Sequence, residues 1–282
     1  MSALALGLVA SLSWGVADFI GGVEARRLPV LSVLLISQPV GLGAAAVWTL
    51  SAGGAPPPLI DLAVAAVAGV AGALALGALW AAMARGMIGL ASPISATAVL
   101  VPVTYGLARG EPPGALQLAG LVLAISGIIV AVRPPSRSAQ RRPGRDGLSL
   151  LFAVAAALGF GGMFVGVAFA AKQNPAWAVC AARAGGCGVI VAGALLTRRG
   201  PAVARLELPS LAAIGALDVL GSSLYALATR LGRLSLIAVA ASLYPAVTVI
   251  LAARVVHERL GRSQRAGVLM MLIGIAAIAA GL

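Results

Sequence analysis

Three charged side chains, Asp18, Arg183 and Asp218, lie inside long apolar stretches of the sequence. An ionisable side chain within a membrane is costly, so each is a candidate functional group. Asp18 or Asp218 could bind a substrate amine or a coupling proton, and Arg183 could receive a carboxylate or stabilise a neighbouring acid. A static ion pair, a water-facing helix end or an arginine that clamps backbone carbonyls would explain the same residues without transport.

The composition is that of an integral membrane protein. Of the 282 residues, 61% are hydrophobic and 10% are charged, and the mean hydropathy is +1.05. Soluble proteins contain roughly 45–50% apolar and about 25% charged residues. Apolar stretches long enough to cross a bilayer as helices predict ten transmembrane segments, at 3–22, 29–50, 61–84, 87–108, 115–132, 148–171, 175–196, 209–229, 234–256 and 264–282.

The sequence predicts no cofactor, no metal site and no nucleic-acid partner. His257 is the sole histidine, and the two cysteines, Cys180 and Cys187, are about 10.5 Å apart along one helix, too far for a disulfide. No spacing typical of a zinc site is present. The net charge of +12 comes from arginines in loops, without the interleaved aromatic residues of a nucleic-acid surface.

A duplicated segment divides the sequence into two units. The run at 111–128, EPPGALQLAGLVLAISGI, returns at 258–275 as ERLGRSQRAGVLMMLIGI, with a single offset of 147. The Pro- and Arg-rich stretch 133–147 cannot form a core and predicts a linker between a first unit at 1–132 and a second at 148–282. Because each unit has five helices, the second enters the membrane from the opposite side, which predicts inverted repeats.

Glu111 and Glu258 begin the two copies of this segment. Both precede a helix, where a carboxylate can satisfy free backbone N–H groups and favour the positive end of the helix dipole. We therefore interpret them as structural markers of the repeat, and as less suited to a direct role in transport.

The arginines favour one orientation of the chain. Lys and Arg residues in loops after odd-numbered segments far outnumber those after even-numbered segments, and the positive-inside rule then places both termini outside the cell. The first group comprises Arg26, Arg27, Arg85, Arg133, Arg137, Arg141, Arg142, Arg145, Arg198, Arg199, Arg205, Arg254, Arg259, Arg262 and Arg265, and the second Arg109, Lys172, Arg230 and Arg233.

At the level of motifs, the sequence resembles the EamA branch of the drug/metabolite transporter superfamily. The resemblance rests on a Trp-Gly early in the first segment, a Pro about three turns before a Gly-Glu or His-Glu, and a Pro-then-Arg pattern in NPAWAVCAARAGGCG. These motifs are Trp14-Gly15, Pro102 with Gly110-Glu111, Pro245 with His257-Glu258, and residues 174–188 with Arg183 in the Arg position.

The resemblance implies two inverted five-helix repeats around a central pathway. Gln38 lies about where the second segment would carry the counterpart of Arg183, so that position is uncharged in the first half. Family members usually keep both termini in the cytoplasm, opposite to the arginine distribution, and orientation stays open. Four aromatic residues lie on segments that the resemblance places around the pathway, where their rings could contact an apolar or aromatic solute or simply pack: Trp14, Trp80, Tyr225 and Tyr244.

The function expected from the resemblance is secondary transport by alternating access, with the chain as an exporter of small metabolites such as amino acids or drug-like compounds. A channel or facilitator, or a non-transporting membrane scaffold, is the alternative. No enzymatic activity is expected, because no paired acids, metal cluster or nucleophile motif appears. The expected partners are a small-molecule substrate and membrane lipid, with the chain a monomer or homodimer in the bacterial inner membrane.

Overall fold

The protein folds as a set of packed helices. A computed structural model describes residues 3–86, 88–101, 114–131, 147–231 and 243–280, together with positions 237 and 241, and these residues contain helices and no strand. The α-helices in chain order are α1 (Ala3–Glu24), α2 (Val30–Ala52), α3 (Leu59–Arg85), α4 (Ile88–Ser95), α5 (Ala115–Ala131), α6 (Gly147–Ala171), α7 (Pro175–Thr197), α8 (Leu208–Leu231), α9 (Tyr244–Val255) and α10 (Arg262–Ala280).

These helices fall within or close to the apolar stretches read from the sequence. Among the described residues, six helices are both long and apolar enough to cross a membrane, namely α1, α2, α3, α6, α7 and α8. The stretch 87–108 begins as α4 and continues as a 3-10 turn at Ala96–Val99. Pro102, Glu111 and nearly all of the predicted linker at 133–147 lie outside the described residues.

The outer surface of the helices is apolar. Leu196 is 86% exposed and Val67 is 70% exposed, and other large apolar side chains share this outward orientation. Apolar exposure on this scale is unusual for a soluble monomer, whereas a bilayer covers such side chains with lipid. The fold is that of a multi-pass membrane protein.

Helix α3 lies at the centre of the packing, against α6 and α7. Small residues make the α3–α7 approach possible: a Cβ atom on Gly69 would collide with the carbonyl of Ala182, and one on Gly185 with the carbonyl of Ala66. Small residues that bring backbones together are typical of helix pairs in membranes. The close α3–α7 contact places Arg183 of α7 beside the centre of the bundle.

The principal helix contacts follow a regular pattern. Helix α1 packs against α8 and α9, while α6 packs against α3 and α4. Helices α2 and α7 contact each other, as do α4 and α9, and α5 lies along α10. Shifting every helix number by five, and counting from α1 again after α10, turns the α1–α8 and α1–α9 contacts into the α6–α3 and α6–α4 contacts. The same shift turns the α2–α7, α4–α9 and α5–α10 contacts into themselves.

The two ends of the bundle differ in charge. The loops 25–29 and 256–261 meet at one end, next to Gly86, and we call this the basic end; Arg26 there contacts Gly86 and Glu258. At the opposite end, the indole N–H of Trp177 donates to the carbonyl of Gly54. Described basic residues in the loops and terminal helix turns at the basic end include Arg26, Arg27, Arg85, Arg198, Arg199, Arg205, Arg254, Arg259, Arg262 and Arg265.

Candidate functional site

A central cavity collects most of the residues singled out from the sequence. It has an empty volume of about 820 Å³, including its mouth, and is bounded by α1, α2, α3, α6, α7, α8 and the start of α9. Seven of the eight predicted pathway residues line it: Trp14, Asp18, Gln38, Arg183, Asp218, Tyr225 and Tyr244. Trp80 does not line the cavity and is fully buried beside it.

Arg183 and Asp218 form an ion pair on the cavity wall. Arg183 donates from one terminal nitrogen to Asp218 Oδ2 at 2.5 Å and from the other to Oδ1 at 3.1 Å. Asp218 lies near the middle of the 24-residue helix α8, about 15 Å along its axis. A hydrocarbon core is about 30 Å thick, so the ion pair lies at mid-membrane depth.

Two neutral side chains complete the surroundings of this pair. Gln38 accepts from Arg183 at 3.0 Å through Oε1 and donates to Asp218 Oδ2 at 3.2 Å through Nε2. Ser222, one turn after Asp218, accepts from Arg183 at 2.5 Å and donates to the Asp218 backbone carbonyl. The network therefore joins α2, α7 and α8, and the guanidinium is held by partners from α2 and α8, two of the helices that contact α7.

Glycines one turn on either side of Asp218 allow neighbouring helices to reach it. A Cβ atom on Gly215 would collide with the carbonyl of Ser37, so α2 lies close enough for Gln38 to bond Asp218. A Cβ atom on Gly221 would lie 2.7 Å from the indole ring of Trp14. The same close approach lets Trp14 Nε1 donate to the Asp218 carbonyl at 3.2 Å.

Three aromatic rings form one wall of the cavity. The ring centroids of Trp14, Phe164 and Tyr225 lie 5.5–5.8 Å from one another, with planes tilted by 40–44°. These are favourable separations and inclinations for aromatic pairs. Phe164 was not among the residues selected from the sequence, although its position on α6 one turn after Phe160, in a chain with 4% aromatic residues, was a usable signal.

Asp18 lies one turn after Trp14 on the same face of α1 and is 7% exposed. Neither of the two ion pairs found among the described residues includes it. The indole N–H of Trp80 is close to this carboxyl group but makes no hydrogen bond of regular geometry. The Tyr244 hydroxyl is bonded to Ser95 Oγ at 2.9 Å. Asp18 thus faces the cavity without a cationic partner among the described residues.

Glu258 connects separate segments of the chain at the basic end of the bundle. Its carboxylate accepts from Arg26 at 2.5 Å and from the backbone N–H groups of Ile88 and Gly89 at 3.1 and 3.0 Å. We expected this carboxylate to serve the helix that follows it, but the free N–H groups that it satisfies belong to α4, in the other half of the chain. Glu111, its counterpart in the repeat, lies outside the described residues.

The second half of the chain matches a known protein family. Residues 147–280, which span α6 to α10, match the model of the EamA-like transporter family. A solved crystal structure of a protein aligns with 98% of this chain and 95% of its own, with a TM-score of 0.68 and 15% identity, a likeness that concerns the fold. No curated protein sequence matches.

The family match agrees with the motifs around Arg183 and Glu258 and with the apolar helices of this half of the chain. Residues 147–280 match the EamA-like transporter family, which belongs to the drug/metabolite transporter superfamily.

Proposed function

We propose that the protein is a secondary transporter that exports small metabolites by alternating access, in the bacterial inner membrane. The observation that carries this proposal is the Arg183–Asp218 pair, held by Gln38 and Ser222 at mid-membrane depth and facing a cavity of about 820 Å³. Polar groups in the interior of a membrane are costly and commonly mark a substrate or ion pathway. The cavity is lined by apolar and aromatic side chains with a few polar groups among them, as is typical of sites that bind small molecules.

The helix contacts support an organisation as two inverted five-helix repeats, 1–132 and 148–282. The α1–α8 contact has its equivalent in the contact between α6 and α3, and the α2–α7, α4–α9 and α5–α10 contacts are their own equivalents. Such repeats provide two related conformations, because either half can adopt the arrangement of the other. A site between the halves then faces each side of the membrane in turn.

The lining of the cavity on α6 and α7 comes closer to the opposite end of the bundle than to the basic end. Its lining includes Val167 and Val179, each four residues from the end of its helix at the opposite side. Between the cavity and the basic end lie Leu79, Trp80 and Met83, all of 0% exposure. This asymmetry is the one expected of a carrier resting with its site accessible from a single side.

The Arg26–Glu258 pair is suited to hold the basic end shut. It connects the α1–α2 loop to the α9–α10 loop, and Glu258 also holds the first turn of α4. Opening the basic end requires these bonds to break. Because basic residues gather here, the positive-inside rule favours this end as the cytoplasmic one, and a substrate released at the opposite end would leave the cell.

Counterflow in proteoliposomes tests the proposal. Vesicles loaded with an unlabelled metabolite should transiently accumulate the labelled form above its external concentration, because a carrier exchanges the two through one site. The panel would include amino acids and apolar amines. Labelled solute that only equilibrates, without overshoot, would indicate a channel, and no flux with any member of a broad panel would indicate a scaffold.

A further inference from the structure

The charges that line the cavity do not balance. Its described lining carries two carboxylates, Asp18 and Asp218, and one guanidinium, Arg183. The guanidinium is occupied by both oxygens of Asp218, by the Asp218 carbonyl, by Gln38 and by Ser222. With both acids ionised, the cavity has one negative charge in excess, and that charge is on Asp18.

A proton or a bound cation can compensate this excess charge. Asp18 is buried in a membrane-spanning helix, where an unpaired carboxylate is unfavourable. No described Lys or Arg pairs with it, and the nearby Tyr244 hydroxyl is already bonded to Ser95. A cation that entered the cavity would therefore gain more from Asp18 than from the already paired Asp218.

The wall next to Asp18 is suited to an organic cation. Trp14 lies one turn away on the same face of α1, and its ring is grouped with those of Phe164 and Tyr225. A cation within about 6 Å of an aromatic ring centroid is attracted by the face of the ring. Met163 and Val167 extend the lining as an apolar surface.

We propose that the cavity takes a small organic monocation with an aromatic or apolar body, whose cationic group is bound by Asp18 and whose body lies against Trp14, Phe164 and Tyr225. This inference rests on the proposed function for the role of the cavity. It names the class of substrate and the residue that selects its charge.

Three probes of matched shape test the charge preference on the unaltered protein in detergent. Benzyltrimethylammonium is cationic, neopentylbenzene is its uncharged carbon isostere, and phenylmethanesulfonate carries a negative tetrahedral group on the same benzyl body. We expect the cation to bind roughly tenfold or more tightly than the other two in equilibrium binding. Equal binding of the cation and its isostere, or preferred binding of the sulfonate, would overturn the proposal.

Variants locate the selecting group. Asp18→Asn should weaken binding of benzyltrimethylammonium roughly tenfold and leave neopentylbenzene unchanged, while Asp18→Glu should retain cation binding. Asp61→Asn is the matched control, because Asp61 is 8% exposed in the first turn of α3 but does not line the cavity. Unchanged cation binding in Asp18→Asn, or an equal loss in Asp61→Asn, would contradict the assignment to Asp18.

The outcomes separate this inference from the proposed function. If benzyltrimethylammonium binds through Asp18 but no member of a broad metabolite panel shows counterflow, the cation site stands and the transport proposal fails. If anionic metabolites show counterflow while the cation does not bind, transport stands and the cation assignment is wrong. Both measurements use the full chain.

Discussion

The guanidinium of Arg183 binds both carboxylate oxygens of Asp218 across the α7–α8 interface, with donor–acceptor distances of 2.5 and 3.1 Å. Both side chains are largely shielded from solvent, with exposures of 12% and 14%. Neither charge has another partner of opposite sign among the described residues. Their pairing offsets the unfavourable transfer of each charge into the membrane, and the two charges are therefore expected to behave as one unit.

Removing one member of this pair should destabilise the protein more than removing both charges. Arg183→Gln or Asp218→Asn alone leaves a buried charge without its partner, which typically lowers the free energy of unfolding by about 3–5 kcal/mol. The double variant retains hydrogen-bonding groups and leaves neither charge of the pair behind. Thermal unfolding in detergent should therefore give the double variant a higher Tm than either single variant.

Counterflow distinguishes a functional pair from a structural one. If the charges take part in transport, the double variant folds but has lost counterflow, as have the single variants. Full counterflow in a folded double variant would restrict the pair to a structural role.

Adding a methyl group at Gly221 should disturb the site from a distance. Its Cβ atom would lie 2.7 Å from the Trp14 ring, which would push Trp14 away from the Asp218 carbonyl. Overpacking of this kind typically lowers stability by about 1–3 kcal/mol. Gly221→Ala should therefore lower both the Tm and the counterflow rate.

Gly162→Ala provides the matched control for that substitution. Gly162 also lies within a long helix, but no atom of the described residues approaches its Cβ position within 4 Å. Alanine is favoured over glycine inside a helix, so this variant should keep or raise the Tm. Equal losses in the two variants would show that the α1–α8 contact has no special importance.

Weakening the bonds of Glu258 should open the basic end more often. Glu258→Ala removes one ion pair and two charge-assisted hydrogen bonds from backbone N–H groups. A change of about 1.4 kcal/mol in the closed-to-open equilibrium alters it tenfold. A cysteine at Met83, which is fully buried on this side of the cavity, reports the opening.

The labelling experiment uses Met83→Cys in a background with Cys180→Ala and Cys187→Ala, since both native cysteines are free thiols. A membrane-impermeant maleimide should label the added cysteine roughly tenfold faster when Glu258→Ala is also present. Glu207→Ala is the control, because Glu207 lies at the same end but its carboxylate bonds within its own turn, to the N–H of Ala204. The same rate with and without Glu258→Ala would rule out Glu258 as part of a closing contact.

Truncation of Phe164 should weaken the binding of aromatic ligands. Its ring contacts both Trp14 and Tyr225 on the cavity wall, and an aromatic pair contributes about 0.5–1.5 kcal/mol beyond the burial of its surface. Phe164→Leu should therefore reduce the affinity for an aromatic ligand several-fold while a purely aliphatic ligand is less affected. Phe169→Leu is the control, because Phe169 is 51% exposed on the outside of the same helix. A similar loss in both variants would count against a role for the aromatic wall.

The sequence was sufficient to identify a membrane protein and most of the charged and aromatic residues around its cavity. Charged and aromatic side chains are rare in this chain, so Asp18, Arg183 and Asp218 could be recognised individually. The pairing of Arg183 with Asp218 could not be predicted from the sequence, because it depends on which faces of α7 and α8 meet. The role of Phe164 depends in the same way on the rotation of α6.

The contact of Glu258 with α4 could not be predicted from the sequence either. Glu258 and Ile88 are separated by 170 positions, and only the packing of the two halves brings them together. Trp80 is the opposite case, because it was selected from the sequence and does not line the cavity. Its full burial against Gly21 follows from the small size of that glycine, which the sequence does not connect with Trp80.

Cross-linking the basic end tests alternating access most directly. Arg26→Cys and Glu258→Cys, in the background without native cysteines, would be joined by a short, reducible bifunctional thiol reagent and assayed for counterflow in proteoliposomes. We expect counterflow to stop when the link forms and to return when it is reduced, while each single-cysteine variant is unaffected by the reagent. Undiminished counterflow in the fully linked protein would contradict alternating access through the basic end.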